Sequence, residues 1–306
     1  MSGDSSLFSD SEERYSEMKA EVESSIEELL QLTEEAKRSE KFKEWLDVQS
    51  KFHNYSYRNS WLIKLQCPEA SKVAGYRQWQ EKFDRHVKEG ESAIWIWAPL
   101  QGKICPDCGT AKYKHDSTDC EYFEDEEVDE DDWDQGIVGF KPVPVFDVSQ
   151  TEGEELPELD TSARGEINGL LKKVKRLAEE RDIEVEIVDE REWNRGSDGF
   201  AKDGKVTVKQ QDIATTTSVL IHELSHILAG HTSDNGFSSG IDRMKEEVEA
   251  ESIAYIVGKK FGLDMSNSSF YLASYKADRE AFEESLKTIT DVSSEIIEEL
   301  EVIEDA

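Results

Sequence analysis

The amino-acid sequence predicts an α+β fold with two domains. Apolar residues recur at helical spacing near both ends of the chain, which predicts helices there. Alternating apolar residues in the interior of each half predict strands. Residues 149–162 carry turn formers without periodicity, so we place the domain boundary within this stretch. The predicted domains are residues 1–155 and residues 156–306.

The first half is predicted to contain two helices followed by two strands. Residues 13–50 place most apolar side chains three or four positions apart among Glu and Lys, as amphipathic helices do. The segments ESAIWIWAPL and KPVPVFDV predict the strands. Between them we expect an insert with cysteines at about residues 103–122. A solvated acidic loop overlaps it, since residues 116–134 contain twelve Asp or Glu.

The second half is predicted to alternate between helices and a small sheet. Helical spacing between Ile167 and Leu177 precedes the alternating segment IEVEIVD. The segment GFAKDGKVTVKQ predicts a hairpin that turns at Asp203-Gly204. Helices are then expected at about 212–230, at about 243–260 and, in an acidic C-terminal segment, from about residue 276.

The charge of the chain bears on its surroundings. Its 36 Lys and Arg face 69 Asp and Glu, a formal net charge of −33 that is spread along much of the sequence. Such a charge opposes nucleic-acid binding in general, because like-charged surfaces repel. It predicts a halophilic protein, since salt at about 1 M shortens the screening length to ~3 Å. An acidic protein of an ordinary cytoplasm is the alternative.

Composition also predicts a cytoplasmic protein without a membrane partner. No window approaches the roughly 18–20 consecutive apolar residues that a membrane span requires. The N-terminal segment MSGDSSLFSDSEERYSEM lacks the basic and apolar regions of a signal peptide. Four cysteines in 306 residues do not form a disulfide framework, which favours a reducing compartment.

The strongest chemical signal is an H-E-x-x-H motif in the segment SVLIHELSHILAGH. Residues four apart share one face of a helix, so His222 and His226 can bind one cation while Glu223 flanks them. Zinc lowers the pKa of a bound water toward about 7, and a neighbouring carboxylate can take the proton of that water. The motif therefore predicts a catalytic Zn²⁺, with Glu223 as general base, in a zincin-like second domain.

A third zinc ligand must come from elsewhere in the chain, because a catalytic zinc uses three protein ligands and one open position. The segment KEEVEAESIAYIV places Glu247 and Glu251 four apart on one helix face. One can bind zinc while the other accepts a hydrogen bond from a ligating histidine. We assign Glu247 as the ligand and Glu251 as its supporting acceptor, with the reverse order left open. His231 is the rival ligand.

A second metal site is predicted in the insert of the first half. Cys105 and Cys108 have the spacing of zinc-binding thiolates, with a glycine directly after the second. His115 and Cys120 complete a set of four ligands within sixteen residues. Four protein ligands would close the site to substrate, so we expect a structural Zn²⁺. Three reduced cysteines and a surface histidine are the alternative.

A basic and aromatic segment in the first half predicts contact with single-stranded DNA. Between Lys51 and Lys88 there are eight basic and three acidic residues, a reversal of the overall sign. Aromatic residues are interleaved with them, a mixture that stacks on bases and follows phosphates. Placement of these side chains in the core is the alternative. The predicted contacts are Arg58, Trp61, Lys64, Tyr76, Arg77, Trp79, Lys82, Arg85 and Lys88.

With these residues the chain resembles ArdC-type antirestriction proteins. In the first half the resemblance lies in YSYRNSWLIKLQCPEASKVAGYRQWQEKFDRHVKEGESAIWIWAP and KPVPVFDVSQTEG, and in the second half in HELSH and EVEAE. It implies an N-terminal domain that binds single-stranded DNA and a C-terminal zinc metallopeptidase domain of the ImmA/IrrE kind. It also implies that His222, His226 and Glu247 bind zinc and that Glu223 is the base. The cysteine insert, the acidic loop and the acidic C-terminal helix depart from the pattern.

Three functions follow as hypotheses. The first is a zinc metallopeptidase that binds single-stranded DNA and hydrolyses a protein or peptide substrate, to which the hairpin around Lys205 to Lys209 would offer an edge strand. The second is a non-enzymatic antirestriction protein with a structural or vestigial zinc site. The third is a regulatory peptidase that cleaves a repressor when DNA is exposed.

Overall fold

The computed structural model describes residues 8, 13–31, 35–115, 133–156, 167–231, 241–266 and 279–303, which form a mixed α and β fold. Most of the acidic loop, Cys120 and part of the expected boundary segment lie outside these residues. The helices are α1 (Arg14–Gln31), α2 (Glu35–Lys51), α3 (Tyr57–Gln66), α4 (Tyr76–Phe83), α5 (Ile167–Glu180), α6 (Ile213–Leu228), α7 (Ile241–Lys260) and α8 (Arg279–Val302). The strands are β1 (Val73–Ala74), β2 (Arg85–Val87), β3 (Ile94–Ile104), β4 (Asp134–Asp147), β5 (Thr151–Gly153), β6 (Glu184–Val188), β7 (Gly199–Lys202) and β8 (Lys205–Lys209).

The chain divides into two compact units, each built from two segments. Unit 1 comprises Met1–Ala20 and Leu65–Glu154, and unit 2 comprises Glu21–Lys64 and Glu155–Ala306. The expected division put residues 21–64 in the first domain, whereas the structure groups them with the second. Contacts of α2 explain this difference. The ring of Phe42 lies 6.2 Å from that of Phe282 in α8, and the hydroxyl of Tyr255 in α7 donates to Asp47 at 2.7 Å.

Unit 1 is built around a long antiparallel hairpin. Strands β3 and β4 pair from Ile94↔Val145 to Ile104↔Asp134, with one register shift between Leu100 and Gln101, and β1 pairs with the other edge of β4. Strands β2 and β5 form a separate antiparallel pair. The core lies at the open end of the hairpin, where β3 begins and β4 ends and where alternation buries one face. Buried residues there include Ile94, Ile96, Val145, Val73 and Trp79.

Asp147 joins β4 to the preceding loop of unit 1. Its buried carboxylate accepts backbone hydrogen bonds from Ser71 at 2.8 Å, Lys72 at 3.0 Å and Ser149 at 2.9 Å. Burial raises the pKa of Asp147, but the hydrogen bonds, led by those from Ser149, outweigh burial and hold this pKa below its ordinary value. The charged form of Asp147 therefore stabilises the folded unit.

The sheet of unit 2 has the strand order β6-β8-β7. Strand β8 is parallel to β6 and antiparallel to β7, so its backbone is paired on both sides. The edge strand expected in the hairpin around Lys205 to Lys209 is therefore not Lys205–Lys209 itself, because these residues form the central strand. Within the described residues, the edge strand of this hairpin is β7.

The helices of unit 2 bury an apolar core beside this sheet. Asp212 starts α6 by accepting a hydrogen bond from the backbone of Thr215 at 3.0 Å. Helix α6 contacts β7, β8, α5 and α7, and α7 contacts α8. The three helices predicted after residue 210 are present within a few residues of their expected bounds. None of the helices in the described ranges is both long and apolar enough to cross a membrane.

Candidate metal centre

Helices α6 and α7 bring three potential metal ligands together. His222 and His226 lie one turn apart on α6, and their Nε2 atoms are 3.2 Å apart. The Oε2 atom of Glu247, on α7, lies 3.6 Å from Nε2 of His222 and 3.8 Å from Nε2 of His226. One donor atom from each of the three residues fits within a span of 4.8 Å. Two imidazoles and a carboxylate are a donor set that suits a divalent cation such as zinc.

The three potential ligands face a cleft. His226 is buried, His222 is partly buried and Glu247 is exposed. The cleft encloses about 360 Å³, which leaves room for a water molecule and part of a substrate beside the ligands. Its wall is formed by Ser197, Asp198, Gly199, Phe200, Ser218, Val219, His222, Glu223, His226, Arg243, Glu247 and Glu251.

Glu251 lies where it can orient His222. Its Oε2 atom is 3.1 Å from Nδ1 of His222, on the side of the ring away from Nε2. If Nε2 of His222 binds a cation, Nδ1 carries the proton and its N–H donates a hydrogen bond to Glu251. In this geometry Glu247 faces the two Nε2 atoms, and Glu251 orients the ring of His222 through Nδ1. These are the roles assigned to Glu247 and Glu251 from the sequence.

His231 contacts His226 and does not join the three-ligand set. Its Nδ1 atom lies 3.1 Å from Nδ1 of His226, and its Nε2 atom lies 2.8 Å from Oε2 of Glu249. A cation on Nε2 of His226 requires a proton on Nδ1, which donates to His231. The remaining N–H of His231 then donates to Glu249. Both His231 and Glu249 are buried, so this chain fixes the tautomer and orientation of His226.

A helix-ending turn explains the position of His231. Gly230 follows α6 with φ of +76°, a left-handed conformation that favours glycine. The backbone N–H of His231 then bonds to the carbonyl of His226 at 2.9 Å, as in a Schellman motif. The role of His231 and Glu249 was not predicted from the sequence. A glycine four residues after the second histidine, followed by a third histidine, is the signal that could have revealed His231.

The imidazoles and carboxylates of the potential ligands shift one another's pKa values. Burial lowers the pKa of His222, but the nearby carboxylates of Glu247 and Glu251 outweigh burial and raise this pKa to about 10. The same contacts with His222 and His226 hold the pKa of Glu247 well below its ordinary value. Burial lowers the pKa of His226. A cation that binds this set therefore takes the place of a proton.

Glu223 projects into the cleft from α6 next to the potential ligands. It is 8% exposed, and burial raises the pKa of its carboxyl to about 7, although His222 acts in the opposite direction. Strand β7 lies directly against it. A carboxylate with a pKa near neutrality can both accept and return a proton at physiological pH.

The described part of the cysteine cluster is also brought together. One ligand atom each from Cys105, Cys108 and His115 fits within 4.8 Å. Cys105 and Cys108 are reduced cysteines, the first buried and the second exposed. The fourth residue of the predicted set, Cys120, lies outside the described residues.

Two of the predicted DNA contacts are core residues. Trp79 is fully buried in unit 1, where its indole N–H donates to the carbonyl of Phe146 at 2.9 Å. Trp61 is buried in unit 2 and stacks on Trp45, with ring centroids 6.3 Å apart. Neither ring is open to a nucleic-acid base, so these two predictions are wrong. Aromatic count alone did not reveal that these side chains face the core.

Three of the predicted basic contacts are bound to protein groups. The guanidinium of Arg85 donates to the hydroxyl of Thr151 at 2.8 Å and to its carbonyl at 3.1 Å, so it joins β2 to β5. In unit 2, Arg58 pairs with Glu283 at 2.9 Å and Lys64 pairs with Glu44 at 2.6 Å. These carboxylates neutralise the two cations, which weakens the case for contact with phosphate.

The remaining predicted DNA contacts are exposed in unit 1. Tyr76, Arg77 and Lys82 lie on the exposed face of α4, opposite Trp79. Lys88 is exposed after β2, and its ammonium donates to the carbonyl of Ser149 at 2.8 Å. Further exposed residues of this unit, not predicted from the sequence, lie at the β3–β4 hairpin. They are the apolar or aromatic Leu100, Tyr113, Ile137 and Phe140 and the basic Lys114 and Lys141.

Comparison with known proteins bears on both halves. Residues 12–146 match the family model of the N-terminal domain of anti-restriction factor ArdC. An uncharacterized protein of Bacillus anthracis is 27% identical over 269 residues, which are 80% of this chain and 45% of that protein. The chain thus spans about half the length of this curated relative.

Two similar solved structures are both of the antirestriction ArdC protein from R388 plasmid. The metal-free structure is 16% identical with a TM-score of 0.44, and the match covers 82% of this chain and 86% of that one. The Mn(II)-bound structure is 15% identical with a TM-score of 0.49, and the match covers 94% and 99% of the two chains. The family-model match covers less than half of the chain, and it shows that residues 12–146 are similar to the N-terminal domain of ArdC.

Proposed function

We propose that the chain is an ArdC-like antirestriction protein that binds single-stranded DNA through unit 1. The observation that carries this proposal is the match of residues 12–146 to the ArdC N-terminal domain model, a range that includes residues 12–20 and 65–146 of unit 1. The exposed face of α4 supports it, since Tyr76 offers a ring for stacking while Arg77 and Lys82 offer charges to phosphates. Within the described part of the chain, neither cation forms an ion pair.

Binding against a net charge of −33 requires a local positive surface. Exposed Lys114 and Lys141 add to such a surface in unit 1, and exposed Phe140 adds a second aromatic ring. Phosphate contacts weaken as salt rises, whereas stacking weakens less. We therefore expect affinity to persist at salt concentrations that screen the rest of the acidic surface.

The test is binding of the parent and an Arg77→Ala/Lys82→Ala variant to a fluorescein-labelled oligothymidine over a range of salt concentrations. Loss of two phosphate contacts should make the salt slope shallower by about 1.4 log units per log unit of salt. The matched control is Arg176→Ala/Lys202→Ala, which removes two exposed cations from unit 2. Equal affinity and slope in the parent and the Arg77→Ala/Lys82→Ala variant would contradict this assignment.

A second candidate function is metal-dependent hydrolysis of a peptide bond in unit 2. The specific observation that favours it is the position of Glu223, which lines the same cleft as the three potential ligands. His222, His226 and Glu247 would hold the cation. A divalent cation held there would polarise a water molecule and a substrate carbonyl.

The residues of the chain supply the remaining steps of such a hydrolysis. Glu223 takes the proton of the attacking water and passes it to the leaving nitrogen, which its pKa of about 7 permits near neutral pH. Glu251 and His231 keep the two imidazoles oriented. Strand β7 lines the cleft with Gly199 and Phe200, and β8 covers only one of its edges. An extended peptide would add to the other edge and pass the ligands.

Fluorescein-labelled casein is the probe for this second function. Glu223→Gln should retain the cation and lose at least about 100-fold in hydrolysis, because the base contributes a factor of this order. Glu192→Gln, a change at an exposed carboxylate outside the cleft, is the control and should retain activity. If Glu223→Gln cleaves as fast as the parent, hydrolysis by this centre is excluded. A metal-loaded parent without activity would favour the non-enzymatic antirestriction function.

A further inference from the structure

We propose that Cys105, Cys108 and His115 form a second metal site in unit 1, one that selects a thiophilic cation such as zinc and fixes the outer end of the β3–β4 hairpin. This site is independent of the two functions proposed above. Its donors are two thiols and an imidazole, whereas those of the centre in unit 2 are two imidazoles and a carboxylate.

The two cysteines lie in a tight turn at the end of β3. The backbone N–H of Gly109 bonds to the carbonyl of Cys105 at 2.9 Å, and the N–H of Cys105 bonds to the carbonyl of Thr110 at 2.8 Å. Gly109 has φ of +69°, a left-handed conformation that a side chain would strain. A bridge between Ile104 and Ala111 closes the loop. The turn therefore holds both sulfur atoms near one point without help from a disulfide.

His115 supplies the third donor atom, beside the sulfur atoms of Cys105 and Cys108. It follows a single 3-10 turn, Lys112–Lys114, and its ring is buried. The ring of Trp133 meets it edge to face, with centroids 5.4 Å apart. The ammonium of Lys103 donates to the carbonyl of Trp133 at 3.0 Å. These contacts link His115 both to β3 and to the residue that precedes β4.

The distances suit a small cation. Ligands about 2.3 Å from a tetrahedral zinc lie about 3.8 Å from one another, so donors within 4.8 Å need to close by only about 1 Å. Thiolates prefer zinc, cobalt or cadmium to manganese, magnesium or calcium. No residue of the cleft in unit 2 belongs to this set. The site would therefore act as a structural clamp on the hairpin.

Cobalt(II) titration of the full chain, followed by absorption, tests the proposal. Thiolate-to-cobalt charge-transfer absorption should appear in the parent and in His222→Ala, and it should be lost in Cys105→Ser and Cys108→Ser. The matched control is Cys67→Ser, since Cys67 is also a reduced cysteine of unit 1 but is not a member of the set. Manganese(II) should not displace the bound cobalt. Cobalt spectra that are unchanged in Cys105→Ser and Cys108→Ser would overturn the proposal, as would loss of the band in Cys67→Ser.

Alkylation of the unmodified protein gives a second measurement that needs no variant. The thiol of Cys108 is exposed, so iodoacetamide should modify it in the chelated protein. Zinc should slow this modification by about tenfold or more, because a bound thiolate is no longer free to attack. Modification of Cys108 at the same rate with and without zinc would contradict the site, even if the cysteine variants failed to fold.

Discussion

The backbone of Gly199 lies against the carboxylate of Glu223 with no room for a side chain. A Cβ atom at residue 199 would lie 2.8 Å from Cγ and 2.9 Å from Oε1 of Glu223, and 2.8 Å from a methyl of Val219. Strand β7 is thus in close contact with α6 at Glu223, the proposed base. This contact fixes where Glu223 can lie within the cleft.

Gly199→Ala is therefore predicted to impair hydrolysis without removal of the cation. The added methyl group must displace Glu223 or the strand, and a displacement of about 1 Å in a catalytic group can cost about 100-fold in rate. Casein cleavage and metal content measured on the same samples check this. Gly196→Ala is the control, because its Cβ would meet nothing within 4 Å. Equal cleavage by Gly199→Ala and the parent would contradict the assigned role of Glu223.

Loss of the hydrogen bond to His222 should weaken metal binding. Glu251→Gln keeps the size of the side chain but removes its charge, and such supporting residues contribute about 10- to 100-fold in affinity. Competition of the protein with a chelator for zinc measures this change. Glu192→Gln, at an exposed carboxylate outside the cleft, should bind zinc as the parent does. Unaltered affinity in Glu251→Gln would show that His222 needs no such support.

Removal of the charge of Asp147 should destabilise unit 1 in a pH-dependent way. Its pKa is lower in the folded state than in the unfolded chain, so its contribution is present at neutral pH. That contribution is lost as pH falls from the unfolded value of about 3.9 through the folded pKa. Asp147→Asn should reduce the free energy of unfolding by about 1–3 kcal/mol at pH 7 and by less at low pH.

Urea unfolding at several pH values checks the prediction for Asp147. Asp134→Asn, at an exposed residue that begins the same strand, is the control and should change stability by less than about 0.5 kcal/mol. A difference between Asp147→Asn and the parent that stays constant across acidic pH would show that the charge of Asp147 is not what stabilises the unit.

Trp79 and Tyr76, neighbours on α4, should respond in opposite ways to substitution. Trp79→Ala opens a cavity in the core and should cost about 3–5 kcal/mol of stability. Tyr76→Ala removes a half-exposed ring and should change stability little, while it weakens oligothymidine binding about tenfold if the ring stacks on a base. Thermal unfolding and fluorescence anisotropy separate the two effects. Full DNA affinity in a folded Tyr76→Ala variant would remove this residue from the interface.

The H-E-x-x-H helix could be predicted because its geometry is local. Helical period alone places His222 and His226 on one face, and Asp212 marks the start of the helix. The position of Glu247 depends on how α7 packs on α6, so the sequence left Glu251 as an alternative. His231 was considered only as a ligand, because its contact with Glu249 joins residues 18 apart that only the fold brings together.

The DNA interface was less predictable, because aromatic and basic residues serve the core as well as the surface. The sequence does not distinguish Trp79 and Arg85 from Tyr76 and Arg77. In the structure, Trp79 and Arg85 form hydrogen bonds within unit 1, whereas Tyr76 and Arg77 are exposed. The division of the chain into units could not be predicted from the sequence either. Residues 21–64 precede the first strands in sequence, and only long-range contacts such as that of Phe42 with Phe282 group them with the C-terminal segment.

Zinc content after dialysis against zinc-free buffer, measured in the parent, His222→Ala and Glu247→Ala, is the direct test of the metal centre in unit 2. Each variant is predicted to hold about one zinc per chain fewer than the parent, because a catalytic-type site has only three protein ligands to lose. Glu192→Ala is the control and should match the parent. Parental zinc content in both His222→Ala and Glu247→Ala would contradict a metal centre at the junction of α6 and α7.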